Sequence, residues 1–81
     1  MAVVTVTDSF TEITDGNETT DTLVQIGKNM RVTFGGTSGR TYSNATPMNF
    51  GQIVIVPAGV VCHMIAVSGQ SWPAWKETGF S

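Results

Sequence analysis

Residues 50–67 read F-G-Q-I-V-I-V-P-A-G-V-V-C-H-M-I-A-V, and the way this stretch folds decides the rest. Two runs rich in Val and Ile, 52–56 and 60–67, are separated by Pro57-Ala58-Gly59. Proline fixes φ and glycine supplies the opposite freedom, so a Pro-Ala-Gly step between two β-prone runs predicts a tight reversal and a β-hairpin. A membrane-spanning helix needs about 20 unbroken apolar residues. Gln52, the central Pro57 and Gly59, and His63 interrupt this stretch, so we expect a hairpin inside an all-β domain and no membrane contact.

Working outward, both faces of the ribbon are apolar. Ile53 and Ile55 oppose Val54 and Val56; Val61, Ile65 and Val67 oppose Val60, Cys62, Met64 and Ala66. A strand that is apolar on both sides has to be covered on both sides, by a second sheet or by another subunit. The flanking chain supplies further strands. Residues 2–7 are a β-branched run, 10–14 and 20–26 extend on either side of an Asp15-Gly16-Asn17 turn, and 30–34 alternates Met30, Val32 and Phe34 against Arg31 and Thr33. Residues 35–45 hold three glycines and no hydrophobic period, which predicts the longest and most mobile loop. The expected fold is all-β, a small antiparallel β-sandwich or barrel of about six to seven short strands over residues 1–70. Residues 71–81 carry Trp72, Trp75 and Phe80 around Pro73; proline is poorly tolerated inside a sheet, so this tail is expected as an edge strand or an extended arm.

The totals narrow the function. A chain of 81 residues is one domain that buries only about 60% of its unfolded surface. Its core supplies roughly 3–5 kcal/mol. Cys62 is the single cysteine and His63 the single histidine, so neither a disulfide nor a structural zinc site is available as a staple. Association with other chains remains. A net charge of −2 with four dispersed basic residues (Lys28, Arg31, Arg40, Lys76) argues against nucleic acid as a partner. Charged residues make up 12%, about half the usual ~25%, and Thr and Gly take their place, as in surfaces that pack on something else. Residues 1–7 show neither a basic segment nor a long apolar one, so export through a cleavable signal is not expected.

Candidate chemistry is thin. Cys62 and His63 are adjacent, so on a strand they face opposite ways and make no catalytic dyad. Asp15, Glu18 and Asp21 cluster near one turn but lack the spacing of a calcium loop and are expected as a solvated acidic turn. Gly35-Gly36-Thr37-Ser38-Gly39-Arg40 lacks the Gly-Lys-Ser/Thr ending of a phosphate loop. Asn17 and Asn44 begin glycosylation-type triplets that arise readily by chance in a Thr-rich chain. Tyr42, Trp72 and Trp75 offer rings for stacking on a glycan; the alternatives are anchoring on a protein neighbour or capping the domain's own core. No enzyme, cofactor or metal is expected.

The run F-T-E-I-T-D-G (10–16), then T-L-V-Q-I-G (22–27), M-R-V-T-F-G (30–35), V-P-A-G-V-V (56–61) and I-A-V-S-G (65–69) resembles small β-structured virion proteins of tailed bacteriophages, among them head decoration or cement proteins and fibre-associated accessory proteins. The resemblance is one of strand and turn spacing and stops before the aromatic tail. It implies a non-enzymatic virion structural protein on the capsid surface that binds the major capsid protein or another virion protein and itself, as a homo-oligomer. A glycan-binding or fibre- or tail-associated adhesion module is the alternative. The residues expected at such an interface are Val54, Val56, Val60 and Met64 of the ribbon and Trp72, Trp75 and Phe80 of the tail.

Overall fold

The computed structural model describes residues 2–80, except for the side chain of Phe80. The described residues form eight strands: β1 Ala2–Val6, β2 Thr11–Asp15, β3 Asp21–Ile26, β4 Met30–Phe34, β5 Thr46–Met48, β6 Ile53–Val56, β7 Val61–Ile65 and β8 Trp72–Phe80. They make two four-stranded sheets, β1-β8-β3-β6 and β2-β7-β4-β5, antiparallel throughout. The expected all-β sandwich is what forms, with eight strands instead of six to seven. Inward-facing Val6, Val24, Ile26, Val56 and Ala74 of the first sheet pack on Ile13, Met30, Val32, Cys62 and Met64 of the second.

The expected hairpin does not form. The Pro57 reversal is there: the Val60 amide donates to the Pro57 carbonyl (3.2 Å) and Gly59, at φ +81°, takes the left-handed position of a type II turn. Its two arms, however, enter different sheets, β6 at an edge of the first and β7 inside the second. As a hairpin the two arms would share one sheet and expose an apolar face on each side. Split between sheets, Val56, Cys62 and Met64 meet in the core. The crossing is pinned from outside the ribbon: the Gly59 amide donates to the Glu18 carbonyl (3.1 Å), the Ala58 amide to Asp21 Oδ1 (3.0 Å), and the Thr14 hydroxyl to the Val60 carbonyl (2.7 Å).

The tail is also different from expectation. β8 is neither an edge strand nor an arm but an interior strand, bonded to β1 on one side and β3 on the other. Pro73 is accommodated because it pairs opposite Thr5 and, toward β3, stands beside Gly27, just past the last residue of that strand. The donor it lacks is therefore missing at the end of a ladder. Its carbonyl still accepts from the Gly27 amide (3.0 Å).

A bulge in β2 between Glu12 and Thr14 leaves Ile13 without a partner in the ladder. Lys76 of β8 answers it. Its side chain runs inward and Nζ donates to the Ile13 carbonyl at 2.7 Å, a charged bond that ties one sheet to the other.

Candidate interaction surface

Strand register assigns the described side chains of the first sheet to its two faces. One outward row runs Val3–Trp75–Gln25–Ile53 across β1, β8, β3 and β6, and the next carries Glu77, Leu23 and Ile55. Val3 is 59% exposed, Ile53 54% and Ile55 43%, with Trp75 and Leu23 half-buried beside them. Single exposed apolar residues are ordinary; here Val3, Trp75, Leu23, Ile53 and Ile55 fall on one sheet face in two adjacent register rows.

Sequence reasoning placed the interface on other residues. Val56 and Met64 are fully buried in the core, because both point at the opposite sheet. Val54 and Val60 are half-buried and pack against the core, as does Trp72. Of the expected set, Trp75 lies on the outward face; Phe80 pairs opposite Asp21 through its backbone, and its side chain lies outside the described residues. Val3, Ile53 and Ile55, exposed on this face, were not in the expected set. The signal for the two isoleucines was present in the alternation of 53–56, but treating the ribbon as a hairpin left no means of choosing its outer face.

The three aromatics do not converge on one glycan platform. Tyr42 lies in the 35–45 loop with the Arg31 guanidinium 4.5 Å from its ring centroid, while the same guanidinium donates to the carbonyls of Tyr42 and Ser43 (both 3.1 Å). That loop, expected to be the most mobile part, is folded back on β4 and closed by Asn44, whose side chain accepts from the Thr41 amide (2.8 Å) and donates to the Gly39 carbonyl (3.1 Å). Trp75 stands on the outer face of the first sheet. Trp72 lines a separate cleft of about 410 Å³ with Gly27, Lys28, Asn29, Phe50 and Val67; Lys28 Nζ sits 5.4 Å from the Trp72 ring, and Phe50 is 69% exposed at the rim.

The second sheet's outer face carries its polar residues in register, with His63 between Glu12 and Thr33. His63 Nε2 is 4.0 Å from a Glu12 carboxylate oxygen; His63 Nδ1 and Thr33 Oγ1 are buried and have no hydrogen-bond partner among the described residues. Cys62, one residue away, points into the core, where burial pushes its thiol up to about 12 and keeps it protonated. A thiol and an imidazole on opposite faces of a sheet transfer no proton between them. The acidic residues serve the backbone. Glu18 accepts from the amides of Asp15 and Gly16, Asp21 from Ala58, and Asp15 from the Asn17 amide (2.9 Å), the contact that chiefly lowers the Asp15 pKa. Their oxygens are spent on separate amides, and among the described residues no group of three or more metal-ligating side chains gathers.

No helix in the described residues is long and apolar enough to cross a membrane. The chain matches no protein-family model, no curated protein and no solved structure.

Proposed function

We propose that this is a non-enzymatic structural protein, a decoration or cement protein that reinforces a virion shell by binding coat subunits and its own copies. The observation that carries the reading is the outward face of the first sheet, where Val3, Ile53 and Ile55 are exposed beside Trp75 and Leu23. Two properties support it. The core is small for a domain that has no disulfide, so docking on a neighbour adds stability by mass action. The charge-poor composition suits a surface held against others more than a freely diffusing enzyme. The spacing resemblance to phage virion proteins gives the shell as the neighbour.

The test is co-sedimentation with coat shells assembled without the protein. Wild-type chain is expected to pellet with the shells and raise their melting temperature. Val3→Glu, a change at an exposed position on the strand farthest from β6, is expected to weaken pelleting while keeping the β-sheet circular dichroism. Shells that neither bind the wild-type chain nor gain stability from it refute the proposal.

A second reading rests on a different observation, the Trp72 cleft with Phe50 at its rim and Lys28 and Asn29 beside it, which has the mixture of ring and polar donor that sugars need. In a glycan array that reading requires binding that Phe50→Ala removes.

A further inference from the structure

The two sheets treat their edges differently. In the second sheet β5 is three residues long and contains Pro47, and β2 is bulged and carries the exposed Glu12 and Asp15. Short length, proline, bulges and charge are the devices by which proteins keep sheet edges from pairing with other chains. The first sheet has no proline, bulge or charge inside its edge strands: β6, four residues long and followed by Pro57, reads Ile-Val-Ile-Val, and β1 reads Ala-Val-Val-Thr-Val. Unguarded edges in one sheet beside guarded edges in the other single out the first sheet as the one built to be extended.

The ladder shows which groups are on offer. The Gly51 amide donates to the Ile26 carbonyl (2.9 Å) and the Ile26 amide to the Gln52 carbonyl (3.0 Å). Bonded and non-bonded pairs alternate along an antiparallel ladder. Val24 with Val54 and Thr22 with Val56 are therefore the bonded pairs, and the N–H and C=O groups of Ile53 and Ile55 turn away from β3. Among the described residues no strand pairs on that side.

We propose that β6 pairs antiparallel with β6 of a second copy of this chain across a two-fold axis, joining two first sheets into one continuous sheet. The register follows from the chemistry. Outward-turned groups must meet outward-turned groups, so the axis passes through a residue and not between two. An axis at Ile55 keeps the two bonds of the Ile55 pair but sets Ile53 opposite Pro57, which has no N–H to give and whose carbonyl already accepts from the Val60 amide. An axis at Ile53 sets Ile55 opposite Gly51, whose amide is already given to Ile26. An axis at Val54 pairs Ile53 with Ile55 of the partner twice, about four backbone hydrogen bonds in all. It also brings two exposed isoleucines of each copy together on the outer face. The same symmetry at β1 would set Val3 against Thr5, a poorer apolar match, which is why β6 is chosen. An edge of this length buries less than the ~800 Å² per partner of a stable dimer, so the contact is weak in free solution and consolidates where copies are concentrated on a surface. The inference specifies the self-association half of the proposed function and rests on the edge alone.

The experiment uses the full chain with single cysteines added. At an axis through Val54 the two Val54 residues form a non-bonded pair with Cα atoms about 4.5 Å apart, within disulfide reach. Under mild oxidation Val54→Cys is expected to give a covalent dimer on the order of tenfold faster than Val4→Cys, the equivalent position of β1, with buried Cys62 as the wild-type baseline. Sedimentation of the wild-type chain is expected to shift from monomer toward dimer with concentration, and Ile53→Lys with Ile55→Lys to weaken that shift about tenfold or more with the circular dichroism unchanged. Should the lysine variant fail to fold, the cysteine comparison still decides. The proposal is overturned by cross-linking as fast at Val4 as at Val54, by a wild-type chain that stays monomeric up to about millimolar concentration, or by growth past the dimer into open chains. A chain that binds shells without cross-linking at Val54 sinks the edge and spares the shell reading. Cross-linking at Val54 without shell binding does the reverse.

Discussion

Replacing Gly27 by alanine is expected to cost about half of this protein's stability, although the change looks harmless by propensity. Gly27 does not have a positive φ, so the backbone itself admits an L-residue. What forbids it is β8. A Cβ at position 27 would stand 2.5 Å from the Pro73 carbonyl oxygen, 2.9 Å from Pro73 Cγ and 3.0 Å from the Trp75 ring. The nearest of these is backbone and cannot swing aside, so β3 and β8 have to part at that end. Parting loses the bond from the Gly27 amide to the Pro73 carbonyl, about 1 kcal/mol. Overpacking adds about 1–3 kcal/mol. Alanine returns about 0.4–1 kcal/mol by restricting the unfolded chain. The net is a loss of roughly 2 kcal/mol out of the ~3–5 kcal/mol expected for so small a core, or a drop in melting temperature of about 8–16 °C. Urea denaturation followed by tryptophan fluorescence measures it, with the m-value expected to hold while the midpoint falls. Adding Pro73→Ala removes the ring contact but not the carbonyl, so it is expected not to rescue. A Gly27→Ala chain as stable as wild type, or one restored by Pro73→Ala, would refute the packing argument.

Lys76→Met keeps the length and apolar stem of the side chain but leaves the Ile13 carbonyl without its donor; a loss of about 1.5–3 kcal/mol in chemical denaturation is expected, and a loss under 0.5 kcal/mol would show that water replaces the ammonium at no cost. Thr33→Val removes a buried hydroxyl that has no hydrogen-bond partner among the described residues, so stability is expected to hold or rise by about 1 kcal/mol, and a clear fall would mean that the hydroxyl is bonded, with His63 opposite as the first suspect. For Cys62, the thiol pKa is near 9.0 in the unfolded chain and raised to about 12 in the native one, so its contribution is complete below pH 9 and is lost as pH rises toward 12, at up to about 1.4 kcal/mol per unit. Denaturation midpoints of wild type and Cys62→Ala between pH 8 and 10.5 check it: the wild-type slope is expected to be the steeper, and equal slopes would remove the cysteine from the account.

The strands were legible because period-2 alternation and turn chemistry are local. Met30, Val32 and Phe34 against Arg31 and Thr33, or Gly59 behind Pro57, announce a strand and a reversal without knowledge of anything distant. Pairing was not legible, because it is decided by contacts far along the chain. Nothing within residues 50–67 says that Gly59 will be held by Glu18, Ala58 by Asp21 and Val60 by Thr14, which together send the second arm into the other sheet. Pro73 misled for the same reason: its missing donor rules out a central position only if the neighbour's ladder continues past it, and β3 stops at Ile26. The faces of the candidate surface followed the pairing and were lost with it.

The surplus of apolar surface inferred from the ribbon survives this correction in a smaller and more definite form. β7 is accounted for by its own chain: Cys62 and Met64 are closed off by the opposite sheet, and Ile65, in register beside Arg31, is buried on the outer side. β6 is not, since Val56 is buried while Ile53 and Ile55 are exposed, and among the described residues no strand pairs with its outer side. A protein selected simply to stay monomeric could have placed a lysine or a proline within those four residues at almost no cost to its core, as it did with Pro47 on β5. The outer isoleucines and the open edge thus coincide on β6, which is why the proposed pairing with a second copy is placed there and not on β1, where Val3 is the one exposed large apolar side chain.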